Sequence, residues 1–106
     1  MVARVQLPQG AKRGDVIEVR IAIQHPMETG FRYDVLGRPV PKNVINSLRA
    51  RYNGAEVFGA ELGSGVAANP YLQFCVIAEA SGEFVFEWID DNGVRGTERA
   101  AISVSG

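Results

Sequence analysis

Val16-Ile17-Glu18-Val19-Arg20-Ile21-Ala22-Ile23-Gln24 decides the fold. Ile17, Val19, Ile21 and Ile23 fall on one side, and Glu18, Arg20 and Gln24 on the other. Successive side chains of an extended chain point to opposite faces, so this period of two marks a half-buried strand. Working outward, Val44 to Asn53 repeats the pattern, with Val44, Leu48, Ala50 and Tyr52 opposite Ser47, Arg49 and Arg51. Phe84, Phe86 and Trp88 alternate with Glu83, Val85 and Glu87, and a last strand from Thr97 to Val104 turns Ala100, Ile102 and Val104 inward. Short strands are expected at Val2 to Leu7 and Glu56 to Leu62.

The turn chemistry agrees. Asn53-Gly54 and Asn92-Gly93 are hairpin signals, because both central residues of a type I′ turn need positive φ. Ser81-Gly82 and Gly63-Ser64-Gly65 add breaks, and no segment carries a 3.6-residue period. An all-β, antiparallel, immunoglobulin-like β-sandwich of about seven strands is expected. At 106 residues, without repeat or low-complexity linker, residues 1–106 read as a single domain.

Composition removes several function classes. Eleven basic and twelve acidic residues leave a net charge of −1, so no basic footprint for nucleic acid is expected. No apolar run approaches the roughly 20 residues of a membrane-spanning helix. One cysteine and one histidine are too few for the common thiolate and imidazole metal sites. A blue-copper set needs two histidines, a cysteine and a weak axial ligand. His25, Cys75 and Met27 supply only part of it, and no cofactor is expected.

Two stretches stand out. In Tyr71 to Ala78, Leu72, Phe74, Val76 and Ala78 form one apolar face, but Tyr71, Cys75 and Ile77, flanking Gln73, make the other largely apolar too. A sandwich strand usually shows water one face, so either a loop or another protein is expected to cover the second. Cys75, inside this apolar run, reads as a small hydrophobe at a packed position rather than a reactive thiol. The second stretch is His25-Pro26-Met27-Glu28-Thr29-Gly30-Phe31-Arg32, where Pro26 stops the preceding strand. It reads either as a loop whose histidine caps a strand end or as a recognition loop. His25 and Glu28 could pass as an acid/base pair, but no nucleophile or oxyanion set accompanies them. Beyond it, Tyr33 to Asn43, with Gly37, Pro39 and Pro41, is expected to be an edge ribbon or an excursion between strands, flanked by Arg32 and Arg38 as potential anion holders.

His25-Pro26-Met27-Glu28-Thr29-Gly30, then Tyr52-Asn53-Gly54, then Ala68-Asn69-Pro70-Tyr71-Leu72-Gln73-Phe74 and finally Trp88-Ile89-Asp90-Asp91-Asn92-Gly93 resemble the SoxZ family, in order and over nearly the whole chain. The resemblance implies a subunit of the SoxYZ carrier of bacterial thiosulfate oxidation. Its SoxY partner bears sulfur intermediates on a cysteine in a flexible Gly-Gly-Cys-Gly-Gly C-terminus. The present chain ends Ala101-Ile102-Ser103-Val104-Ser105-Gly106, so the implied role is that of the non-catalytic, non-carrier subunit. The N-terminal residues Met1 to Pro8 do not read as a secretory leader, and the resemblance implies export to the periplasm together with SoxY.

On that reading, the partners are SoxY, in a heterodimer or larger assembly, and other Sox enzymes docking transiently through the complex. Neither nucleic acid nor membrane is expected, and the isolated chain could pair with itself. The residues expected at the interface, or presenting the carrier tether, are Tyr71, Gln73, Cys75 and Ile77, with His25, Pro26, Met27, Glu28, Thr29 and Arg32. The alternatives are an immunoglobulin-like dimerisation module related to those of sulfite-oxidising molybdenum enzymes, and a small enzyme using His25 and Glu28.

Overall fold

Each alternating stretch becomes a strand. The computed structural model describes residues 3–63, 66 and 68–106. Val2, expected to open the first strand, and Ser64-Gly65, part of an expected break, lie outside the described residues. The strands are β1 (Ala3–Gln6), β2 (Ala11–Lys12), β3 (Val16–Ile23), β4 (Ile45–Tyr52), β5 (Ala55–Glu61), β6 (Tyr71–Ile77), β7 (Gly82–Asp90), β8 (Arg95–Ile102) and β9 (Val104–Ser105). Among the described residues there is no helix. One antiparallel sheet has the order β1-β3-β6 and the other β5-β4-β7-β8. Seven longer strands in two sheets make the expected immunoglobulin-like sandwich.

The inward rows meet between the sheets. Ile17, Val19, Ile21 and Ile23 from β3 pack with Leu48 and Ala50 from β4 and Phe84, Phe86 and Trp88 from β7, all buried. Phe74 of β6 stacks on Phe58 of β5 at 4.5 Å between ring centres and meets Phe86 of β7 at 6.4 Å, joining the layers. Each such side chain, fully buried, stabilises the fold by about 1.5–3 kcal/mol. Trp88 lies across Gly96 on the neighbouring strand, where a Cβ would come within 2.1 Å of the indole. Only glycine lets the ring approach the backbone this closely.

Two local expectations change and one holds. The Asn53-Gly54 turn has positive φ at both residues, 49° and 85°, as a type I′ turn requires. At Asn92-Gly93 only the glycine does, at 79°. There the Asp90 carboxylate accepts the Asn92 and Val94 amides at 3.0 Å each, and Asp90 carbonyl accepts the Gly93 amide. This is a type I turn followed by a glycine bulge, selected by an aspartate side chain that satisfies two turn amides. The expected last strand is broken at Ser103. β9 leaves the sheet of β8 and pairs in parallel with β2, its turn held by the Ser81 hydroxyl on the Val104 amide at 2.6 Å.

Between β3 and β4 the chain makes the expected excursion. Glu28 and Asn43 exchange backbone hydrogen bonds at 2.8 Å, Val40 N–H donates to Arg32 carbonyl, and Asp34 and Gly37 close the tip. The hairpin stands off the sandwich. The molecule measures 60 × 19 × 19 Å with a radius of gyration of 16.2 Å, against about 13 Å for a compact chain of this length. The longest strand accounts for only about 30 Å of that axis.

Candidate functional site

His25 follows the end of β3 after one intervening residue, Gln24, and is 2% exposed. Its backbone is paired with Asn69, whose amide donates to His25 carbonyl at 2.7 Å and whose Oδ1 accepts the His25 amide at 3.1 Å. In the ring, Nδ1 accepts the Met27 amide at 2.9 Å, so it carries no proton. Nε2 therefore holds the hydrogen and donates to Asp90 Oδ2 at 3.2 Å. Met27 sits at φ 49°, and its Sδ accepts the Ile45 amide at 3.3 Å. Burial pushes the Asp90 carboxyl up, but hydrogen bonds from His25, the Val94 amide, Asn43 and the Asn92 amide together outweigh it and hold the group below the usual carboxylate value. Asp91 is held low too, by Asn46 first and then by the Val44 amide.

This geometry settles the chemistry of the His25 stretch. The histidine bolts the root of the hairpin to the β7–β8 turn, which is the strand-capping reading taken one step further. The acid/base pair does not form. Glu28 instead holds Arg32 in two hydrogen bonds of 3.0 and 2.7 Å, while both ring nitrogens of His25 are engaged elsewhere. Arg32 and Arg38 are not free anion holders either, since Arg38 Nε lies 3.0 Å from Asp34 Oδ2. Of the ten candidate positions, His25 and Met27 are buried. Glu28 and Thr29 are half-buried, and Pro26 and Arg32 are exposed.

The β6 residues lie elsewhere on the surface, facing out. β6 is an edge strand whose ladder partner is β3 alone. Tyr71, Gln73, Cys75 and Ile77 form its outer row, with Tyr71 55% and Ile77 54% exposed, and no described segment covers them. Cys75 is thus exposed, not packed as the apolar run suggested. Alternation sends Leu72, Phe74 and Val76 inward and leaves the thiol on the outer row. Its cross-strand neighbour is Glu18, the reverse of the electropositive setting of a reactive thiol. No group of three or more metal-ligating side chains occurs among the described residues.

Sequence reasoning missed two features. One is Asp90, the partner of His25 across 65 positions. The other is the hairpin tip, where Phe31, Tyr33, Val35 and Leu36 are 85, 66, 101 and 72% exposed. The signal was present: four large apolar residues between Gly30 and Pro39, in a stretch too rich in turn residues to form a core strand.

Fold and surface together define an immunoglobulin-like β-sandwich with an open edge strand and a projecting hairpin. Residues 5–101 match the family model of the sulphur oxidation protein SoxZ, and the chain belongs to the SoxZ family of the Sox sulfur-oxidation system. No curated protein gives a significant sequence match. Among solved structures, the sulfur carrier protein SoxY from Chlorobium limicola f thiosulfatophilum is similar at a TM-score of 0.68 and 10% identity, covering 98% of this chain and 79% of that one. A superoxide reductase (neelaredoxin) from Ignicoccus hospitalis is similar at a TM-score of 0.74 and 17% identity, covering 99% and 81%. At such identities the likeness is one of fold.

Proposed function

We propose that this chain is the non-catalytic, non-carrier subunit of a SoxYZ-type complex. It pairs with a SoxY subunit that holds sulfur intermediates on its C-terminal cysteine during thiosulfate oxidation in the periplasm. The observation that carries the reading, within the SoxZ family, is the outer row of β6. An edge strand with unpaired backbone groups and a half-apolar outer face is a liability unless a partner covers it. A cysteine bearing a sulfane or sulfonate adduct must visit several active sites, which calls for a mobile tether on a stable body. A partner sandwich enlarges that body and adds surface on which other Sox enzymes dock.

Co-expression with a SoxY subunit, followed by size-exclusion chromatography and intact mass, tests this. A one-to-one complex is expected, with any cysteine-borne adduct on the SoxY chain. Absence of association, or an adduct on Cys75, would overturn it.

A further inference from the structure

The proposed pairing leaves the hairpin tip unexplained, and the tip is the larger apolar surface. Phe31, Tyr33, Val35 and Leu36 expose roughly 500 Å² of side chain, aromatic residues alone offering about 150–250 Å² each, and they do so at 66–101% exposure. We infer that the hairpin is a rigid clasp that seats its Phe31–Leu36 tip in an apolar groove of the SoxY-type partner subunit, forming one interface with the outer row of β6. This inference rests on the partner reading above.

Three observations carry it. The first is area. A stable interface removes about 800 Å² from each partner. The outer row of β6, with Tyr71 and Ile77 each about half exposed, falls well short, and with the tip it comes near that value. The second is charge. Glu28 pairs with Arg32, Asp34 with Arg38, and Lys42 lies 3.8 Å from Asp91, so the charges along the hairpin are matched within this chain. Transient docking relies on charge for steering, whereas permanent interfaces are the more apolar ones. A neutralised apolar tip therefore fits a resident subunit better than a visiting enzyme. The third is rigidity. Asp34 Oδ1 accepts the Leu36 and Arg38 amides at 2.9 Å each, and the root is bolted through His25. Asn69, which grips His25, stands two residues before Tyr71, the first residue of β6. The two patches are thus joined by a stiff connection, and a preordered surface loses little entropy on binding.

The test uses the full chain with its SoxY subunit and the double variant Phe31→Ser, Leu36→Ser. Both positions are solvent-exposed, so the isolated variant should melt where the parent does. Binding measured by titration calorimetry should weaken at least a hundredfold. Unchanged binding by the variant, with the parent forming its complex, would overturn the clasp and leave the subunit reading standing. A parent chain that forms no complex with SoxY would overturn both. A parent that dimerises by itself through the tip, with SoxY binding insensitive to the double variant, would make a second copy the occupant and overturn the clasp.

Discussion

Replacing His25 by alanine removes three things at once. Asp90 loses its side-chain donor at 3.2 Å, the Met27 amide loses its acceptor at 2.9 Å, and an imidazole-sized space opens in a site that is 2% exposed. A hydrogen bond to a charged group contributes about 1.5–3 kcal/mol, and a buried amide left unpaired costs about 1–3 kcal/mol. Asp90 keeps the Asn92 and Val94 amides, so its charge is not stranded and the low end of the first range applies. The expected loss is about 3–4 kcal/mol, a large part of the roughly 5–15 kcal/mol a domain possesses. At about 4–8 °C per kcal/mol for a chain near this size, melting should fall by roughly 12–32 °C in scanning calorimetry. The double variant His25→Ala, Asp90→Asn should lose less than the two single losses added, because the pair is coupled. A His25→Ala loss below about 1 kcal/mol, or strict additivity, would refute the bolt.

Other outcomes follow from the same packing. Asp90 has a folded pKa below its unfolded one, so its ionised form stabilises the fold above the ordinary carboxylate range, and that contribution is lost as pH falls through the lower folded value. Asp90→Asn should therefore lower stability at neutral pH and flatten the acid limb of denaturant-measured stability against pH. Gly96→Ala forces a methyl to within 2.1 Å of the Trp88 ring and should cost about 2–3 kcal/mol, with a red-shifted, more exposed Trp fluorescence as the accompanying sign. Ile77→Lys, at a side chain 54% exposed, should leave the melting temperature within about 2 °C of the parent while preventing co-elution with SoxY.

Much of this was legible from local pattern. The inward rows of β3, β4 and β7 follow directly from alternation, because Cβ atoms on a strand point to opposite faces whatever the strand's neighbours are. Asn53-Gly54 announced its turn for an equally local reason, the cost of positive φ for most residues. Asn92-Gly93 carried the same dipeptide and made a different turn, since Asp90, two residues earlier, competed for the turn amides. The candidate site was only half legible. The apolar second face of β6 is visible in the sequence, yet the same apolar run points Cys75 to a packed position although it is exposed, and the partner of His25 is Asp90 on β7 rather than Glu28 three residues away.

The sequence by itself determined which side chains share a face, where most of the turns fall, and that one strand, Tyr71 to Ala78, is apolar on both faces. Tertiary structure decided what lies over each face. Strand order made β6 an edge with one side of its backbone unpaired, and two-layer packing left its second face to water with no described segment over it. Folding brought Asp90 to His25 from 65 positions away and spent both ring nitrogens on structure. It also closed the Glu28–Asn43 connection into a hairpin that carries its apolar residues away from the core. The division has one physical origin: alternation and turn propensity are properties of neighbouring residues, whereas burial and pairing depend on which distant segments win the competition to cover them.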